Sequence, residues 1–133
     1  MAKTFSQMVA EAQAEVSMIS PTEAQTQMQD DPNTLMIDVR DAADIAGTGI
    51  IPGAAHVSLG MLPVRADQEL PENFRDARLQ DRDRPIVVTC ALGGQASLGA
   101  KVLKDMGFNN VSILKGGTIG WKNEGLPTEA FPA

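Results

Sequence analysis

A chain of 133 residues with 43% hydrophobic and 21% charged residues has the size and composition of one ordinary domain with its own core. The net charge of −6, from 17 acidic and 11 basic side chains, excludes a nucleic-acid surface, which needs clustered cations, and provides no long-range attraction for small anions. A single cysteine excludes an internal disulfide, and with one histidine beside it there are too few ligands for a zinc or iron–sulfur site, so no metal and no cofactor is expected.

Along the chain, Phe5, Met8, Val9, Ala12 and Val16 fall at helical spacing and predict an amphipathic helix over residues 5–16. Nothing at this end resembles a signal peptide, and no run is long and apolar enough to span a bilayer. With a lone thiol suited to a reducing compartment, a cytoplasmic protein with no membrane partner is expected. Ser20-Pro21-Thr22-Glu23 reads as a helix start, with serine as cap, proline in the first turn and Glu23 closing a capping box. That helix should run to about Met28 and end in the turn at Asp30-Asp31-Pro32-Asn33.

Leu35 to Val39 is an apolar run without alternation, the pattern of a strand buried on both faces. A brief helix is expected over Asp41 to Ala46, stopped by Gly47 and Gly49, then a turn at Pro52-Gly53 and a weak edge strand over Ala54 to Val57. Ser58 is read as the cap of a short helix through Leu62, disturbed by Pro63. Arg65 to Arg84 should be an irregular surface segment whose core candidates are Leu70, Phe74 and Leu79.

Pro85 to Cys90 is the strongest strand signal in the chain. After a glycine-bearing loop, Ala96 to Met106 reads as a helix closed by Gly107. Val111 to Leu114 is a further strand, Lys115-Gly116-Gly117 a turn, and Thr118 to Glu124 a last short helix carrying Trp121 as a core anchor. The tail from Leu126 is expected to be loosely held. Alternating strands and helices with apolar strands imply a parallel sheet covered on both faces, a three-layer α/β domain.

In such sheets ligands bind beyond the carboxyl ends of the strands, which is where Cys90 falls. The residues after it are Ala91-Leu92-Gly93-Gly94-Gln95, with a helix from about Ala96. Two adjacent glycines allow this loop to curl with several backbone N–H groups turned inward, and the positive end of the following helix adds to the same field. A thiol there is expected to be partly thiolate at neutral pH, and the thiolate is the nucleophile. The alternative is a small buried hydrophobe, which is what most free cysteines are; the glycine pair at this distance from a helix start favours the nucleophile. Asp38 and Arg40 could reach the same crevice, or could hold loops together through an ion pair, and the second role is preferred. His56 lies in the edge strand, where a structural role outweighs that of a base for Cys90.

With these residues in view, the chain resembles the single-domain rhodanese or rhodanese-like sulfurtransferase family. Four segments carry the resemblance: Ile37 to Arg40, Ile51 to Ala54, Ile86 to Cys90 with its loop, and Leu114 to Gly117 with Trp121 beyond. It implies a five-stranded parallel sheet with helices on both faces and a rhodanese-like domain over residues 18–128. Residues 1–17 then form an N-terminal helical extension and 129–133 a tail. It also implies a cradle-shaped loop around the active cysteine and sulfane sulfur carried as a persulfide of Cys90. Cys90 would be the catalytic nucleophile, Ala91, Leu92, Gly93, Gly94, Gln95 and Ala96 the loop that binds the substrate or anion, and Asp38 and Arg40 supports. The six-residue cradle from Cys90 to Gln95 has the sulfurtransferase length, one residue shorter than that of related arsenate reductases and phosphatases.

The chain departs from the family where thiosulfate enzymes commonly carry bases, since Ala91 and Gln95 are neutral and Ala96 replaces a frequent serine. A low-molecular-weight persulfide as the small sulfur-donor molecule, or else a partner protein's persulfide, therefore suits the loop better than thiosulfate. A non-catalytic binding module of the same fold is the alternative. A cysteine-based phosphatase or arsenate reductase is disfavoured by loop length, and the phosphatase also by Ala96, which stands where that signature places arginine. A monomer or a weak homodimer is expected, the helix over residues 5–16 packing on its own domain or on a second copy.

Overall fold

The computed structural model describes residues 2–131. Five parallel strands form one sheet in the order β1-β5-β4-β2-β3: β1 (Met18–Ile19), β2 (Leu35–Asp38), β3 (Ala55–His56), β4 (Ile86–Thr89) and β5 (Val111–Leu114). The helices are α1 (Phe5–Glu15), α2 (Pro21–Asp30), α3 (Leu62–Ala66), α4 (Gly94–Asp105) and α5 (Gly117–Asn123). None of the described helices is long and apolar enough to cross a membrane.

The apolar runs build two cores because alternate residues of a strand point to opposite faces. Leu35, Ile37 and Val39, Ile86, Val88 and Cys90, and Ile113 join Ala96, Ala100 and Leu103 of α4, with Leu62 and Ala66 of α3. On the other face Met36, Val87 and Leu114 pack with Ala24 of α2 and Trp121 of α5. Cys90 thus belongs to the α4 face, and its neighbour Thr89 to the α5 face. Both cores close only through parallel pairing of β2, β4 and β5, which brings the carboxyl ends of these strands to one rim.

The capping box at Ser20 forms as expected, and the edge strand is β3, shorter than the run from Ala54 to Val57. Several expectations need correction. The helix over Asp41 to Ala46 is a single 3₁₀ turn, Ala42–Asp44. The helix expected from Ser58 through Leu62 instead starts at Leu62 as α3, with Met61 and not Ser58 at its cap position. Pro63 does not disturb it, because it is the second residue, where a missing N–H costs nothing. Of the three core candidates in the polar segment only Leu79 is buried; Leu70 and Phe74 are exposed. That segment is irregular but pinned by Arg82, which donates to Ala66 O, Leu79 O and Met106 O and lies over the Phe108 ring at 4.4 Å. The two-residue β1 had no readable signal, since Ser17 O and Ile19 O simply accept from Ile113 and Lys115 of the neighbouring strand.

The tail is held rather than loose as far as Glu129. Trp121 Nε1 donates to Pro127 O at 2.8 Å, and Glu129 exchanges backbone bonds with Ile50 at 2.8 and 2.9 Å. Residues 132–133 of the expected tail lie outside the described residues, as does Met1 of the expected extension. The helix α1 packs on α4 of its own domain, with Lys104 Nζ donating to Glu15 O at 2.9 Å.

Asp38 and Arg40 form a buried bidentate pair, Nε to Oδ1 at 3.0 Å and Nη2 to Oδ2 at 2.7 Å. The remaining guanidinium donors reach Thr48 Oγ1, Asp44 O and Gly49 O, so the pair fastens the loop after β2. Removing one partner of a buried pair leaves the other charge uncompensated, at about 3–5 kcal/mol. We expect Arg40→Met to lower the unfolding free energy by about that amount in urea titrations; a loss under about 1 kcal/mol would contradict this role.

Candidate active site

The site is built from four consecutive peptide units whose orientation is fixed from different directions. Cys90 ends β4, and its side chain is only 2% exposed. The Gly93 N–H donates to Cys90 Sγ at 3.0 Å, which the loop achieves by placing Gly93 at φ 112°, a conformation open to glycine. The carbonyls of Cys90 and Ala91 are taken by α5: Thr118 N–H donates to Cys90 O at 2.8 Å and Ile119 N–H to Ala91 O at 3.1 Å. These are two of the donors that the start of any helix leaves without intrahelical partners. The Gly93 carbonyl accepts from Ser97 N at 3.0 Å and from Ser97 Oγ at 2.7 Å.

In a planar trans peptide the N–H points opposite to the C=O. With the carbonyls of Cys90 and Ala91 turned towards α5, the N–H groups of Ala91 and Leu92 face away from it. With the Gly93 carbonyl directed down α4, the Gly94 N–H points out of that helix's start, where the N–H groups of Gln95 and Ala96 also lack intrahelical acceptors. The result is a cradle of backbone dipoles beside a thiol. The Gly93 N–H, 3.0 Å from the sulfur, is the one donor of this cradle that already reaches Sγ.

Cys90 to Gly93 form the loop, while Gly94, Gln95 and Ala96 are the first turn of α4, which starts two residues before the predicted Ala96. The glycine pair does not act as expected: only Gly93 has positive φ. Gly94 is helical, and its missing side chain instead makes room for α1, since a Cβ there would stand 2.8 Å from Phe5 Cζ. Leu92 at the loop tip is 70% exposed, and no residue from 91 to 96 is charged. Asp38 and Arg40 have no bond to this loop; theirs go to each other and to the segment 44–49. His56 Nε2 lies 2.7 Å from Arg40 O, so it braces the backbone just after β2.

Four contributors were not foreseen: Gly117, Thr118 and Ile119, which grip the loop from behind, and Ser97, which holds the Gly93 carbonyl. Gly117 sits at φ 63°, and a Cβ there would stand 2.5 Å from Ala91 O and 2.8 Å from Cys90 O. The signal present in the sequence is the Gly116-Gly117 pair, whose local pattern shows a turn and nothing more. Thr89 and Thr118 close the arrangement, their hydroxyls 3.0 Å apart beneath the loop.

The rhodanese-like domain family model matches residues 20–124, and the chain belongs to that family. Among curated relatives, a sulfurtransferase of Allochromatium vinosum is 30% identical over 115 residues, 86% of this chain and 96% of that one. The thiosulfate sulfurtransferase GlpE of Actinobacillus succinogenes is 32% identical over 111 residues, 84% of this chain and 88% of that one. Sulfur transfer is therefore the activity at family level. Among solved structures, the polysulfide-sulfur transferase homodimer of Wolinella succinogenes aligns with a TM-score of 0.73 and 32% identity, covering 94% of this chain and 86% of that one. A Rhodopseudomonas palustris protein of unknown function, described as a possible tyrosine phosphatase, aligns with a TM-score of 0.88 and 28% identity over 97% of this chain and 96% of that one.

The grip of α5 on the loop can be tested against a glycine that does not touch it. Gly53 has φ 81° and open space around its would-be Cβ, so Gly53→Ala should cost only left-handed strain of about 1–2 kcal/mol. Gly117→Ala should in addition displace the loop and slow alkylation of Cys90 by iodoacetamide about tenfold, the worth of one lost charge-assisted bond. Equal alkylation rates in the two variants would contradict the grip.

Proposed function

We propose that the protein carries sulfane sulfur as a persulfide of Cys90, taken from a persulfide or polysulfide donor more readily than from thiosulfate. The observation that supports this is a sulfur cradled by backbone dipoles in a loop without a cation. In the first half-reaction the Cys90 thiolate attacks the outer sulfur of a donor R–S–SH. A new S–S bond forms at Cys90, the donor's S–S bond breaks, and the thiolate RS⁻ leaves. In the second, an acceptor thiolate or cyanide attacks the outer sulfur, and Cys90 departs as the thiolate. The two electrons of each broken bond stay with the leaving sulfur, so no external oxidant or reductant is needed. Loop N–H groups stabilise the negative outer sulfur, as an oxyanion hole stabilises oxygen.

Thiosulfate is a dianion, and its recognition benefits from arginine in the loop. Here the corresponding positions are Ala91 and Gln95, and the net charge of −6 adds no attraction. The polysulfide source named for the Wolinella succinogenes relative agrees with a donor chosen for sulfane sulfur over anionic charge. At 2% exposure Cys90 is reached by a slender terminal sulfur, from a small molecule or a partner protein's persulfide. The proposed setting is the reducing cytoplasm, which keeps the thiol free. A phosphatase reading has no arginine to hold the phosphoryl group: its place is taken by Ala96, which is fully buried.

The purified protein treated with glutathione persulfide should gain one sulfur atom by intact mass, and Cys90→Ser should gain none. No gain with this donor or with polysulfide would overturn the proposal. We further expect Gln95→Arg to raise thiosulfate turnover about tenfold, from one charge-assisted contact; an unchanged rate would show that loop charge is not limiting.

A further inference from the structure

The helix α1 lies outside the segment that the family model matches, yet two of its side chains meet the first turns of α4, directly behind the sulfur loop. The Phe5 ring occupies the space above Gly94, and Gln13 Nε2 lies 3.1 Å from Ser97 Oγ. Ser97 is fully buried, and its hydroxyl lies 2.7 Å from Gly93 O. A hydroxyl has one hydrogen, and a carbonyl oxygen only accepts, so that hydrogen goes to Gly93 O. Gln13 must then present its amide N–H to the hydroxyl, which fixes the direction of the whole chain: Gln13 donates to Ser97, and Ser97 donates to Gly93. The Gly93 carbonyl belongs to the peptide whose N–H, on Gly94, points out of the start of α4.

We propose that Gln13 is a positioning residue for sulfur transfer, setting the direction of the Ser97 hydroxyl and through it the orientation of the Gly93–Gly94 peptide. The proposal rests on the persulfide reading for its consequence in turnover, but not for its effect on the Cys90 thiol. Replacing Gln13 by alanine removes a donor and leaves the Ser97–Gly93 bond in place. Replacing it by glutamate keeps the shape and offers an acceptor instead. The Ser97 hydrogen is then drawn to the carboxylate, and Gly93 O loses it. The smaller chemical change should have the larger effect.

The test compares the wild type, Gln13→Ala, Gln13→Glu, Ser97→Ala and the double variant Gln13→Glu/Ser97→Ala. Two rates are read: alkylation of Cys90 by iodoacetamide and sulfur uptake from glutathione persulfide, the latter separated into kcat and KM. Gln13 is exposed, so its variants should fold. We expect Gln13→Ala to slow both rates about twofold or less, and Gln13→Glu and Ser97→Ala about fivefold each, in kcat rather than KM. The double variant should be no slower than Ser97→Ala alone, because the route from Gln13 to the loop runs only through that hydroxyl. Equal effects of Gln13→Ala and Gln13→Glu would overturn the proposal. So would a further loss from Gln13→Glu in the Ser97→Ala background, which would mark a plain charge effect. A wild type that alkylates but takes up no sulfur would sink the persulfide reading, while the alkylation series would still decide the role of Gln13.

Discussion

The backbone bonds from the first turn of α5 to the carbonyls of Cys90 and Ala91 are what the site depends on. A loop at the end of a strand is ordinarily free to present either its carbonyls or its N–H groups to the space above the sheet. Here Thr118 and Ile119 take two carbonyls and Ser97 takes a third, and the N–H groups are left facing the other way. The two helices supply this because the first N–H groups of a helix need acceptors and the loop's carbonyls need donors. Gly117 is the condition for the grip, since a side chain there would stand inside van der Waals contact of the Ala91 and Cys90 carbonyls.

Electrostatics in this site therefore comes from the backbone. Among the described residues the only buried ion pair is Asp38–Arg40, and it is spent on the loop after β2. Backbone dipoles favour a compact negative sulfur wherever it sits in the cradle, but they do not supply the long reach of an arginine towards a dianion. With Ala91 and Gln95 neutral, the loop offers backbone dipoles and no side-chain cation. Membership in the rhodanese-like domain family and the sulfurtransferase relatives describe the chemistry in general terms.

Much of the fold is written in local sequence pattern. Strands β2, β4 and β5 announced themselves because residues buried on both faces must be apolar throughout, and Ser20 to Glu23 showed a helix start because capping has a fixed chemistry. The five-strand count came from resemblance, since β1 is two residues held only by its neighbour's backbone. Cys90 was legible from its position at a strand end before glycines. The roles of Gly94 and Gly117 were not, because each is defined by an atom far away in sequence: the Phe5 ring for one and the Ala91 carbonyl for the other. Local pattern shows that a glycine is present. Only the assembled fold shows what approaches it.

The central claim is that backbone N–H groups, with no side-chain cation, hold the transferred sulfur. Amide proton shifts of the loop, recorded with Cys90 as thiol and as persulfide, test it most directly. The amides of Gly93, Gly94 and Gln95 should move downfield on loading while those of Thr118 and Ile119, already committed to the loop's carbonyls, stay in place. Loop amides that do not respond to the added sulfur would contradict it.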